Sequence, residues 1–241
     1  MIALLLAAAF AAMSPPPTAP PDIPPLRARP TPPPAIAPAS LLARYAVALA
    51  ANPTPPVITF EYSLDQTGAH DIQQTHRVFR SGLSERDELL TTDGKRLNPP
   101  SIHIFLGHRN RYAIEALAPR PEAYTFRYIA SVHDGHHVDE VFATTPRSPS
   151  NVRIAQVTID GVTALPDLIR FSTTVHAGRG DVAFGRVQKY WVATVATATA
   201  TVAKYPTIER VSFYRYRFPG SLGASTFSTP RPLPSFAPPR H

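Results

Sequence analysis

The sequence predicts a mainly β protein, an antiparallel all-β domain of about ten strands with one helix laid against it. Three observations lead there. Between residues 57 and 222 apolar residues recur with a period of two, the repeat of a half-buried strand. Gly-containing turn pairs punctuate these runs. Prolines crowd the two ends, with 15 of the 29 in the first 56 residues and five in the last 14, so the packing chain is confined to the middle, where it is long enough for one sizeable core.

The first element, MIALLLAAAFAAM over residues 1–13, is shorter than the roughly 20 residues a membrane-crossing helix needs. It reads as a signal peptide, with Ala9-Phe10-Ala11 supplying the small-x-small pattern cut by signal peptidase. No basic residue precedes the run, which leaves a short uncleaved apolar leader as the alternative. Residues 14–38 hold the tract SPPPTAPPDIPPLRARPTPPPAIAP, where fixed φ and missing donors favour an extended tether. Residues 39–227 form the predicted β domain, and 228–241 a second proline-rich tail. The chain has no cysteine, which excludes disulfides, thiol catalysis and lipid attachment to an N-terminal cysteine. The expected location is periplasmic or secreted, in the cell envelope.

Charge argues against nucleic acid. The chain carries net +7, but between Val57 and Leu222 there are 19 Lys and Arg against 16 Asp and Glu, net +3. The excess sits in the flanks, whereas a nucleic-acid module concentrates cations on one face. Even the most suggestive stretch, ERVSFYRYRFPGSL (Glu209–Leu222), reads as a strand. Alternation places Phe213 and Arg215 on one side and Tyr214, Tyr216 and Phe218 on the other, so one side lines a core or a cavity.

SLLARYAVALAAN (Ser40–Asn52) predicts a helix with Ser40 as N-cap and Asn52-Pro53 as its stop. Leu41, Leu42, Tyr45 and Leu49 form an apolar side that needs covering. Ile58, Phe60, Tyr62 and Leu64 alternate with polar residues in the first strand, Tyr124, Phe126 and Tyr128 in a middle one, and Ile169, Phe171 and Thr173 in a later one. In TVATATATV (Thr194–Val202) small side chains point inward and β-branched ones outward. Asp134-Gly135 and Asp160-Gly161 are predicted two-residue hairpin turns, and Asp93-Gly94 a further loop.

The order of leader, helix and unbroken meander is similar to the bacterial outer-membrane lipoprotein carrier and receptor family (LolA/LolB-like). ELLTTDGKRL resembles that family's strand, Asp-Gly turn and strand; NVRIAQVTIDGVTALPDLIRF resembles a recurrent hairpin, and IERVSFYRYRFPGSL a late strand. The resemblance covers roughly Ser40–Phe227. It implies a curved antiparallel sheet, an incomplete, half-open β-barrel, with an apolar concave face and the N-terminal helix as lid. It further implies binding of an acyl chain, lipid or lipoprotein, with transport across the periplasm. Sequestering an acyl chain is worth about 0.8 kcal/mol per methylene. The family's lid is held by an arginine, and Arg77 or Arg80 in HRVFRSG is the nearest counterpart. The long tether and basic tail fall outside the family's outline.

The expected cavity wall is Phe60, Tyr62, Phe126, Tyr128, Phe171 and Tyr216, with Leu42, Tyr45 and Leu49 on the lid. No catalytic residue, cofactor or metal is assigned. His133 and His136 with Asp134, Asp139 and Glu140 lack a fixed third ligand. SERDE (Ser84–Glu88) reads as exposed charge on a loop or edge strand. His108, Arg109 and Arg111 read as solvated turn charges. Expected partners are an acyl chain, lipid or lipoprotein, with peripheral membrane or cell-wall contact. The alternative is an envelope scaffold or protein-interaction module with a filled core, tethered by its proline-rich ends.

Overall fold

The computed structural model describes residues 35–107, 114–134, 137–174 and 177–228. The leader, nearly all of the tether and tail, His108, Arg109, Arg111 and His136 lie outside them. Helix α1 is Pro38–Ala51. It starts two residues before the expected cap: Ala37 occupies the N-cap position without a side-chain cap bond, and Ser40 is already helical. Pro38 takes the first turn instead, where its fixed φ suits a helix and its missing N–H would have had no partner. Asn52 ends the helix as expected, its amide bonding the Ala48 carbonyl. Leu41, Tyr45 and Leu49, spaced by four, are buried.

Eleven strands follow: β1 (Val57–Thr67), β2 (Ile72–Ser81), β3 (Ser84–Thr92), β4 (Lys95–Leu106), β5 (Tyr124–Asp134), β6 (His137–Pro146), β7 (Val152–Asp160), β8 (Pro166–Thr173), β9 (Arg179–Val187), β10 (Tyr190–Val202) and β11 (Tyr205–Arg217). A short helical turn, α2 (Ile114–Leu117), separates β4 from β5, and a 3-10 turn at Ala224–Phe227 follows β11. They form one sheet in the order β4-β3-β2-β1-β11-β10-β9-β8-β7-β6-β5. First and last strands pair in the middle, so the sheet opens between β4 and β5. Laid flat at about 4.8 Å per strand, its edges would stand roughly 48 Å apart. Yet one apolar cluster joins α1 to residues of β1, β2 and β6 through β11, which requires the sheet to curve around the helix. The edge strand β4 carries Pro99 and Pro100, residues tolerated where one side has no ladder to complete.

One turn departs from expectation. Asp160-Gly161 is not a two-residue turn: residues 161–165 link β7 to β8, with the Asp160 carboxylate accepting from the Val162 and Thr163 amides. Gly161 is needed for space, since a Cβ there would lie 2.5 Å from the Val138 carbonyl oxygen and 2.7 Å from Ile36 Cδ1. Asp93 and Gly94 do make a tight turn, both at positive φ (48° and 74°), as the twist of a two-residue hairpin demands. The β10–β11 hairpin imposes the same geometry on Ala203 (49°) and Lys204 (72°), which lack the side chains suited to it. Exchanging this pair for Asn-Gly is expected to stabilise the domain by about 1 kcal/mol, read as a higher urea midpoint; a lower midpoint would mean that the turn is not strained.

The largest departure is in β11. Alternation holds through Phe213, then Arg215 adopts φ 55° and the β1 register steps from Glu61 opposite Tyr214 to Thr59 opposite Arg217. One extra residue is accommodated as a bulge. Tyr216 thereby returns to the side of Phe213, and both rings meet Phe60, at 5.3 and 5.9 Å.

Candidate functional site: the concave face and its helix

The apolar floor is built by period-two strands. Phe60, Tyr62 and Leu64 of β1 face Val211 and Phe213 of β11, and Val182, Ala193 and Ala196 continue the surface across β9 and β10. Inward Ala196, Ala198 and Ala200 are buried while Thr197, Thr199 and Thr201 point to the other side, as their pattern predicts. Of the expected wall residues, Phe60 and Tyr62 are buried; Phe126, Tyr128, Phe171 and Tyr216 are half-buried and packed on the same cluster. Tyr45 and Leu49 of the helix are buried, and Leu42 is half-buried at its margin, Leu41 being the fully covered leucine. Tyr45 meets Phe126 edge-on at 5.9 Å, and Phe126 and Tyr128 each meet Phe142 edge-on. Beside the helix end, Ala46, Leu49 and Ala50 border a groove of about 300 Å³ with Arg120, Pro121 and Glu122.

The helix is also tied down by polar contacts at its margins. Tyr45 donates its hydroxyl to the Pro119 carbonyl at 2.8 Å; burial, aided by the negative charge of Glu122, pushes its phenol well above the usual tyrosine range, so it remains a neutral donor. Arg44 donates to the Val162 carbonyl at 2.6 Å. Ahead of the helix, buried Glu140 accepts from the Ile36 amide (2.9 Å) and from the Ser131 hydroxyl (2.6 Å), while the Ala35 amide donates to Ser131. Glu140 thus serves the approach to the lid rather than a histidine cluster. His133 is exposed at the tip of β5.

The β2–β3 end of the concave face is polar, which sequence alternation alone did not assign. Tyr62 stacks on His76 with ring centroids 4.5 Å apart. Its hydroxyl donates to Asp87 (3.0 Å), whose other oxygen meets His76 Nδ1 (2.8 Å), and His76 Nε2 meets the Gln74 side chain (3.2 Å). With both ring nitrogens engaged, the imidazole is held as a structural strut. Next to it Arg80 and Glu85 pair at 2.8 Å with side chains only 2% and 1% exposed, and Arg80 also donates to the Gly82 carbonyl. SERDE is therefore not an exposed edge. The edge is β4, and Glu85, Asp87 and Glu88 are buried because β2 sets Arg80 opposite Glu85 and Arg77 opposite Glu88. The signal lay in pairing SERDE with HRVFRS across the Gly82-Leu83 turn, a step that needs the strand register.

Arg77 lies on the convex face. It and Arg215 converge on Glu61, at 3.0 and 2.6 Å, within a groove of about 280 Å³ also bordered by Phe79 and Arg217. Burial works to raise the Glu61 carboxyl, but the hydrogen bonds and charges of the two arginines outweigh it and hold it below the usual carboxylate range. Of the two candidates for the family's lid arginine, Arg77 is thus convex and Arg80 is paired with Glu85, while Arg44 is a lid tie carried by the helix itself. Carboxylate oxygens of Asp139, Asp160 and Asp167 come within 4.8 Å of one another, an acidic group that includes no histidine among the described residues. Among the described residues no helix is long and apolar enough to cross a membrane.

No protein-family model and no curated protein sequence matches the chain. Among solved structures it is similar to a LolA superfamily protein from Nitrosomonas europaea, at 9% identity over 81% of this chain and 99% of that one, TM-score 0.47. It is similar to a DUF1329 family protein from Desulfovibrio piger at 8% identity, covering 78% and 97% of the two chains, TM-score 0.47. A third likeness is to an outer membrane lipoprotein-sorting protein domain from Vibrio parahaemolyticus, at 14% identity over 77% and 95%, TM-score 0.46. The open antiparallel sheet with its N-terminal helix is the architecture that the sequence predicts.

Proposed function

We propose that this is an exported cell-envelope protein that binds an acyl chain, lipid or lipoprotein on the concave face, as a periplasmic carrier. The observation that carries the reading is the continuous apolar cluster shared by one helix face and an unclosed sheet. A sheet that closed on itself would need no helix to cover its inside; here the cover is a separate element that can lift. Lifting α1 would free Leu41, Tyr45 and Leu49 together with the rings of Phe126 and Phe60, a surface suited to a hydrocarbon chain. The groove beside Leu49 marks where a chain would begin to enter. Phe126, beneath Tyr45, is the wall residue most tied to the helix.

Native mass spectrometry of the full exported chain, followed by lipid extraction from the same sample, tests the reading. A reproducible adduct that disappears on delipidation and matches an extracted lipid is the expected result. Phe126→Glu should lower fatty-alcohol uptake at least tenfold, because it sets a charge among apolar contacts at a cost of several kcal/mol. Undiminished uptake by a variant with native circular dichroism would remove Phe126 from the wall. A clean apo mass with no uptake of added lipid would favour a packed scaffold, the reading that the full burial of Leu41 and Tyr45 supports.

A further inference from the structure

The bulge in β11 delivers two arginines to the convex face. Regular alternation from buried Phe213 would turn Arg215 and Arg217 inward with it; the extra residue at Arg215, φ 55°, leaves both exposed on the outside beside β1. Bulges re-aim side chains in this way and recur next to functional sites, and a non-glycine residue in the left-handed region persists only where its surroundings hold it. Two convex rungs result. In one, Phe79, Thr59 and Arg217 stand in line across β2, β1 and β11. In the next, Arg77 faces Glu61, which Arg215 meets from β11.

The groove along these rungs, about 280 Å³, is bordered by Thr59, Glu61, Arg77, Phe79, Arg215 and Arg217. Two of its guanidiniums are positioned without any ligand. Arg77 donates Nε and Nη2 to Glu61 Oε1, and Arg215 donates Nη1 to Oε2, so each carboxylate oxygen fixes one arginine. Glu88, 4.0 Å from Arg77 Nη1, is already taken by Arg86 at 2.7 Å. Arg217 meets no carboxylate among the described residues. The groove therefore holds three guanidiniums against one engaged carboxylate, a surplus of two positive charges with unused N–H donors on Arg215 and Arg217. Guanidinium forks suit carboxylate and phosphate alike. A carboxylate brings one charge in one plane, whereas a phosphate monoester is close to a dianion at neutral pH and presents three acceptor oxygens, matching the surplus and the arginines that border the groove from two strands.

We propose that this groove binds the phosphate of a phosphate monoester, with Arg77, Arg215 and Arg217 meeting its oxygens, Thr59 donating its hydroxyl and Phe79 flanking the ester side. A soluble ester and a lipid head group present the same chemistry. The site lies across the sheet from the acyl-binding face and stands or falls apart from that reading. Calorimetric titration of the full chain with glycerol 3-phosphate and with glycerol at pH 7, and its flotation with phosphatidylcholine vesicles with and without phosphatidate, are the test. Binding of glycerol 3-phosphate but not glycerol assigns a soluble ester; recruitment by phosphatidate vesicles alone assigns a lipid head group. In either case Arg217→Gln, outside the Glu61 ion pairs, should weaken binding roughly tenfold with circular dichroism unchanged, and Arg217→Lys should recover only part of it. Arg153→Gln removes the same charge on β7, five strands from β1, and should leave affinity nearly unchanged. Binding of neither probe, or equal losses in Arg217→Gln and Arg153→Gln, would overturn the assignment, the second by reducing it to general attraction toward a positive chain.

Discussion

Arg80→Ala is expected to destabilise the fold by about 3–5 kcal/mol, whereas Arg80→Met with Glu85→Met should come within about 1 kcal/mol of the native protein. The single change leaves the Glu85 carboxylate in a place where only 1% of its side chain reaches water, with its 2.8 Å partner gone and the Gly82 carbonyl without its donor. The double change removes both charges and fills the same volume. The pair sits at the concave end of β2 and β3, directly across the register, so the loss would loosen the strands that hold the Tyr62–His76–Asp87 group. Urea midpoints of the single and double variants decide it. If Arg80→Ala cost no more than the double variant, the ion pair would have to be reached by water, and the concave face at β2 would be open rather than covered.

Gly180→Ala should cost about 3 kcal/mol, at the upper end of overpacking effects. The added methyl would collide with the Thr197 carbonyl oxygen on β10 and lie 2.7 Å from Phe171 Cζ; the first is backbone and cannot swing away. Gly94→Ala is the control. It has open space around it and pays only for its positive φ, about 1 kcal/mol. A Gly180→Ala variant no less stable than Gly94→Ala would show that β9 and β10 separate easily at this rung.

Fold class was legible because each local choice agreed with the next. VITFEYSL, YTFRYIASV and TVATATATV alternate without conflict, and the Thr/Ala strand even disclosed which side was inward. In β11 alternation set Phe213 opposite Tyr216, whereas the bulge at Arg215 brings both rings onto the apolar cluster; nothing in YRYRF marks the bulge, since an arginine at positive φ is unfavourable on local grounds. The start of the helix moved to Pro38 because tertiary contacts of Ile36 and Ala35 fix the approach, and a cap serine was not required.

By itself the sequence determined the strand period and the helix with its Leu41–Tyr45–Leu49 stripe, properties of neighbours within a few residues. Only the tertiary structure decided that the carboxylates of SERDE are buried, that Arg77 and Arg80 part to opposite faces, and that Glu140 pins the approach to the lid. Charge burial depends on what stands across the strand register, and register is a relation between residues far apart in the chain.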